Sequence, residues 1–176
     1  MKKIAVVTGA GHGIGKQIAE ELSELGHTVH GVDLPEVDLS DSSAVAAYFA
    51  QIGPVDILVN NAGVTTPVAH EDLDGLSDGW IDTILRVNVR GAFACVRAFA
   101  PLLRANSSGL VVNISSVAGR TGVGSNVAYC ASKAALDSMT RSLGRALAPD
   151  IRVLSVSPGW VDGEYARLMP PEVIAA

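Results

Sequence analysis

Tyr129 and Lys133 stand four residues apart, and their types suit proton transfer. On a helix, four residues turn about 400°, so both side chains share one face. A free tyrosine titrates near pH ~10 and is a poor base at neutral pH. A neighbouring ammonium favours the phenolate, so the spacing predicts a lowered pKa for Tyr129. A tyrosine tuned this way takes a proton from an alcohol or returns one to a forming alkoxide. Ser116 lies thirteen residues before Tyr129, just past the apolar run 110–115, where its hydroxyl can hydrogen-bond a substrate oxygen. Asn88 falls mid-way along a predicted helix, where asparagine is a mediocre former.

A second chemistry resides in Thr8-Gly9-Ala10-Gly11-His12-Gly13-Ile14-Gly15, between an apolar run and an amphipathic stretch. Glycines permit positive φ and a close backbone approach to a ligand. The helix that follows aims free N–H groups and a positive dipole end at the same spot, which suits a pyrophosphate. Gly9, Gly11, His12, Gly13 and Ile14 are therefore candidate cofactor-binding residues. Asp33 closes the second predicted strand 18 residues past Gly15, where an acid accepts hydrogen bonds from adenosine ribose hydroxyls. It also repels a 2′-phosphate, and His12 brings no firm positive charge at neutral pH. The sequence thus predicts NAD(H) in preference to NADP(H).

The elements that must position these groups alternate short apolar runs with longer amphipathic ones. Strands are expected at 3–8, 27–33, 55–60, 110–115 and 151–157, with at most a stub at 37–39. Helices are expected at 13–25, at 41–51 capped by Ser40, at 77–103 capped by Ser77, and at 127–147. Pro101 should kink or end the third of these. Strand–helix alternation with fully apolar strands predicts an α/β doubly wound parallel sheet, a Rossmann fold covered on both faces. Ligands bind such sheets at the carboxyl ends of the strands. Asn60-Asn61-Ala62-Gly63 and Pro158-Gly159 fall there too.

The 176 residues are one domain's length, 48% apolar and 18% charged. The net charge of −5 argues against non-specific nucleic-acid binding. Mean hydropathy is +0.33, yet the longest apolar run, 44–50, has seven residues, far short of a membrane span. The apolar run after Lys3 stops at Thr8-Gly9, too early for a signal peptide. Cys95 and Cys130 show neither metal nor disulfide spacing and read as thiols in a reducing cytoplasm.

Taken together and in order, these motifs resemble the short-chain dehydrogenase/reductase family, from Ile4 to about Met169. The resemblance implies that Tyr129 is the general acid/base, and that Lys133 lowers its pKa and holds the nicotinamide ribose. Ser116 would polarise the substrate carbonyl, and Asn88 would position a water linking Lys133 to solvent. Gly9, Gly13 and Ile14 would approach the pyrophosphate and nearby ribose. Asp38 would meet the adenine amino group, with Leu39 and Ala62 near its ring and ribose. Asn61, Gly63, Pro158 and Gly159 would line the cofactor, and the Val161 backbone would anchor the nicotinamide amide. The implied reaction is reversible hydride exchange between NAD(H) and a small-molecule alcohol or ketone. A homo-oligomer, dimer or tetramer, is implied through the two long helices. A 3-oxoacyl-thioester reductase is the alternative activity, and a non-catalytic dinucleotide-binding fragment the alternative class.

The sequence departs from the family in three places. The segment from Asp33 to Asp38 is too short for a helix, Gly163 stands where relatives carry threonine, and the chain stops at Ala176. The expectation is a single domain, 1–176, lacking the family's last helix and strand. Among weaker candidates, Cys130 is expected to be a packed thiol and Trp80 a core anchor. Trp160 reads equally as pocket lining or simple packing. His70 with Glu71, Asp72 and Asp74 reads as a solvated loop, and no metal site is expected.

Overall fold

The computed structural model describes residues 1–105 and 108–163. Five strands form one parallel sheet in the order β2-β1-β3-β4-β5: Ile4–Thr8 (β1), Thr28–Val32 (β2), Ile57–Asn60 (β3), Gly109–Ile114 (β4) and Ile151–Val156 (β5). The order reverses at β1, so the crevice between the carboxyl ends of β1 and β3 is the topological switch point. No strand forms over residues 37–39, and Val37 is instead buried in the core.

Successive strand residues face opposite sides of the sheet. Val6, Leu58 and Val111 point into one apolar layer, and Val7 and Val59 into the other. The first layer is the larger. It is closed by Ser42–Phe49 (α2), Ala92–Ala105 (α4) and Val127–Leu147 (α6), with the Phe49 and Phe99 rings 4.3 Å apart between centroids. The second layer is covered by Gly13–Glu24 (α1) through Ile18, Ala19 and Leu22. Cover on that face is incomplete among the described residues: Leu154 and Val156 of β5 are each 51% exposed.

Helix starts follow local hydrogen bonding. Asp41, not Ser40, caps α2, its carboxylate accepting from the Ser43 and Ala44 N–H groups. The Ser40 N–H is already donated to Asp38 Oδ1, which holds Ser40 in the preceding turn. Ser77 does cap Asp78–Leu85 (α3), accepting from Trp80 N. Trp80 is not the core anchor expected, being 42% exposed; burial on α3 begins one turn later, at Ile84. The expected single helix over 77–103 is divided by a π-helical turn, Arg86–Gly91, and Pro101 does not end α4, which runs to Ala105. Pro101 is itself exposed, so the carbonyl one turn back that it cannot bond is left near solvent. A short helix, Ala118–Thr121 (α5), follows β4.

Both cysteines are buried free thiols, and burial pushes Cys95 up to about 12. Among the described residues no helix is long and apolar enough to cross a membrane, and no cluster of His, Cys, Asp or Glu suits a metal ion.

Candidate active site

The switch-point crevice is built by three strand ends that hydrogen-bond one another. Thr8 Oγ1 accepts from both Asn61 N and Ala62 N at 3.1 Å. In return, Asn61 Nδ2 donates to the Thr8 and Gly9 carbonyls at 3.1 Å. Gly9 N donates to Val32 O at 2.7 Å, tying β2 to the same turn. Gly9 has φ +66° and Gly13 φ +54°, the left-handed region that side chains disfavour. A Cβ on Gly15 would run into the Gly9 carbonyl and the Asn61 amide, so glycine is required there by space alone. Among the described residues, His12 precedes α1 without a side-chain cap hydrogen bond. The first N–H groups of α1 thus face outward, as an anion site needs.

Asp33 sits at the rim of this turn. Its Oδ2 accepts from Gly11 N at 2.8 Å and lies 3.6 Å from His12 Nδ1; its Oδ1 accepts from Leu34 N at 2.8 Å. The carboxylate therefore shapes the glycine turn. Asp38 accepts from Ser40 N at 2.8 Å, and the Ser40 hydrogen bonds hold its carboxyl below the usual range. Leu39 packs against the larger apolar layer.

The proton-transfer groups converge at the ends of β4 and α6. The Ser116 hydroxyl, which accepts from Ala118 N at 3.2 Å, lies near enough to the Tyr129 hydroxyl to pull its pKa down. Lys133, 5% exposed, donates from Nζ to Ile114 O at 2.8 Å, with Nζ 5.7 Å from the Tyr129 ring centroid. Burial pulls the Lys133 ammonium down to about 8, opposed by the Asp137 carboxylate. The expected lowering of the Tyr129 pKa is corrected by the geometry. Burial pushes the phenol up, the Ser116 hydroxyl pulls against it, and the lysine is turned toward the Ile114 carbonyl. Tyr129 is thus set as a phenol, a proton donor.

Asn88 occupies the π-helical turn and is buried. Such turns recur at functional sites because they rotate one residue out of helical register. Its Oδ1 accepts from Val64 N at 2.8 Å, while Nδ2 donates to Val64 O at 3.0 Å and Ser132 Oγ at 3.1 Å. Between Asn88 and Lys133 lies Gly63. A Cβ there would stand 3.3 Å from Asn88 Oδ1 and 3.7 Å from Lys133 Nζ. Its backbone does not need glycine, so its role is spatial. Gly63→Ala is expected to fold and bind cofactor while losing about ten- to a hundred-fold in kcat. Steady-state kinetics beside a cofactor titration check this.

Two further residues escaped the sequence reading. Asn126 caps α6, accepting from Tyr129 N at 2.7 Å and donating to Thr65 Oγ1 and Thr66 O. An asparagine three residues before Tyr129 at a helix start was the available signal. Fully buried Ser132 accepts from Asn88 and donates to Tyr129 O at 2.7 Å, joining the π-turn to the tyrosine's own backbone. Asn60 donates to Asn113 Oδ1 at 2.9 Å, and Asn113 to Thr140 Oγ1 at 2.8 Å, locking β3, β4 and α6 together beneath the site. Cys130 is a packed thiol, as expected. His70 joins the loop before α6 through Gly124 O at 3.0 Å. Pro158 O accepts from Val117 N at 3.0 Å, which brings the 158–161 segment beside Ser116.

A family model described as short chain dehydrogenase matches residues 32–172. This chain belongs to the short-chain dehydrogenase/reductase family. These oxidoreductases act on CH–OH groups with a nicotinamide dinucleotide. The chain is 36% identical to a D-xylose 1-dehydrogenase of Caulobacter vibrioides, over 90% of its own length and 72% of the relative's. It is 31% identical to a 3-oxoacyl-[acyl-carrier-protein] reductase of Mycobacterium tuberculosis, over 98% and 75%. A short-chain dehydrogenase from Burkholderia cenocepacia, solved in complex with NADP, superposes with TM-score 0.83 at 33% identity, covering 97% of this chain and 79% of that one. The sheet and its flanking helices are thus the Rossmann-like core of a short-chain dehydrogenase.

Proposed function

We propose that this short-chain dehydrogenase transfers hydride between NAD(H) and an uncharged, apolar-sided secondary alcohol or ketone. The observation carrying this reading is the convergence of Ser116, Tyr129 and buried Lys133 beside the glycine turn at one carboxyl edge of the sheet. Ser116 orients the substrate oxygen and Tyr129 exchanges its proton. Lys133 supplies the neighbouring cation and a ribose donor, and Asn88 holds the π-turn against α6. Gly9, Gly11, His12, Gly13 and Ile14 would hold the pyrophosphate end. Asp33, Asp38, Leu39 and Ala62 would hold the adenosine end, and Pro158, Gly159 and Val161 the nicotinamide end. The bound cofactor supplies or accepts the hydride.

Substrate class is argued from the walls. Val117, Val123, Trp160 and Val161 are exposed large apolar residues on segments next to Ser116 and Tyr129. Trp160 is accordingly assigned to the substrate wall. The expected result is NADH-dependent reduction of apolar cyclic or aliphatic ketones, with charged keto acids left untouched. Turnover confined to charged keto acids, or to none of the panel, overturns the reading.

Asp33 supports NAD(H) over NADP(H), because its carboxylate faces the ribose end of the turn and repels a 2′-phosphate. It also weighs against the 3-oxoacyl-thioester alternative, an activity the family usually runs on NADPH. Asp33→Ser is expected to shift the NADPH/NADH affinity ratio by about tenfold or more toward NADPH, since each tenfold is about 1.4 kcal/mol. Parallel titrations with the two cofactors measure it. Exposed Leu85 and Phe93 on α3 and α4, with Val127 on α6, support a homo-oligomer paired through these helices. The free buried thiols support a reducing, cytoplasmic setting.

A further inference from the structure

We propose that Asp137 is a positioning residue of this active site, its buried carboxylate holding the Lys133 side chain charged from one helical turn away. On α6 the two residues are four apart, a spacing that brings side chains together along one face. Both are almost wholly enclosed, Lys133 5% exposed and Asp137 6%. Lys133 has three N–H donors and, among the described residues, one hydrogen bond, to Ile114 O. Asp137 Oδ1 is buried and, among the described residues, has no hydrogen-bond partner. Among the described residues no ion-pair contact within 4.0 Å joins the two, so the carboxylate acts on the ammonium through the enclosed interior, where charges are weakly screened.

The surrounding charges leave Asp137 as the partner. α6 packs against α3, the π-turn, α5 and β5. These carry Asp78 and Asp82, Arg86 and Arg90, Arg120, and Arg152 respectively. None of them acts appreciably on Lys133, whereas Asp137 does, opposing the effect of burial. α6 itself also carries Tyr129, Cys130, Arg141 and Arg145; Arg141 stands four residues past Asp137, is exposed, and forms no ion pair with it within 4.0 Å among the described residues. Asp137 stands eight residues past Tyr129, more than two helical turns along α6, so its action on the reaction passes through Lys133. Without it, Lys133 loses its proton at lower pH, and the cation beside Tyr129 disappears over part of the working range.

The consequence for turnover rests on the function proposed above; the pairing itself is tested without substrate or cofactor. The chain contains four lysines, Lys2, Lys3, Lys16 and Lys133, so the Cε resonances of the whole protein can be followed individually against pH. The Lys133→Gln variant assigns the Lys133 signal by its loss. The wild-type midpoint is expected at about 8. Asp137→Asn is expected to lower it by about half a unit or more, and Asp137→Glu to keep it near the wild-type value. An unmoved midpoint in Asp137→Asn overturns the proposal, even if that variant melts earlier, because a merely structural role lowers Tm and leaves the titration alone. Should the variant not fold, the wild-type Asp137 carboxyl carbon decides. A shift step at the Lys133 midpoint supports the pairing, and a flat trace through that pH overturns it. In an active preparation, Asp137→Asn should also move the alkaline limb of alcohol oxidation to lower pH.

Discussion

Tyr129→Phe is expected to abolish carbonyl turnover while leaving NADH binding nearly intact. The change removes one hydroxyl from a half-buried ring, so the packing around it survives. It also removes the hydroxyl assigned above to proton exchange, the one beside Ser116. General acid catalysis of this kind is worth about 10²–10⁴-fold. A loss of that size in kcat, with the NADH dissociation constant within about threefold of wild type, is the predicted outcome. Equal turnover in the variant would remove Tyr129 from the mechanism. Because burial holds the phenol protonated, the wild-type enzyme should reduce ketones readily at neutral pH. Oxidation of alcohols should gain rate as pH rises and the phenol deprotonates. The raised pKa places that rise at higher pH than the Tyr129–Lys133 spacing alone predicts.

Gly15→Ala carries the second large effect. Its Cβ would meet the Gly9 carbonyl and the Asn61 amide, both held by hydrogen bonds to the Thr8 region. Neither can retreat without opening the junction of β1, β3 and the glycine turn. Overpacking costs about 1–3 kcal/mol, more where backbone must move. For a chain of this size, Tm should fall by about 5 °C or more, and cofactor binding should be lost with the shape of the turn. Gly13→Ala is the contrast. It faces open space and pays only for φ +54°, about 1–2 kcal/mol. Thermal melts of both variants with and without NADH separate the two causes.

The elements that read cleanly from the sequence are those whose pattern is uninterrupted. β1, α1 and α6 lie within a residue or so of expectation because an apolar run or a 3–4 repeat carries each to a clear stop. The π-turn was not legible, since Arg86–Gly91 keeps a helical pattern; only packing shows that Asn88 has been rotated inward. Ser40 and Asp41 are equally good caps by type, and the choice turned on the prior engagement of Ser40 with Asp38. Trp80 misled because size suggests burial, whereas its place in the first turn of α3 leaves it half exposed. At the site, residue types and spacing picked out Ser116, Tyr129, Lys133 and the glycine turn, all of which lie at strand ends or on the helices that follow them. The direction of the Tyr129 shift depended on burial and on where Lys133 Nζ points, neither of which is written in spacing.

The central claim is that the carboxyl edge of this sheet is a nicotinamide dinucleotide site read by Asp33. Titration of the 176-residue chain with NADH and separately with NADPH, followed by cofactor fluorescence, tests it most directly. The account predicts saturable NADH binding, with NADPH weaker by about tenfold or more. NADPH binding as tight as NADH, or no saturable binding of either, would contradict it.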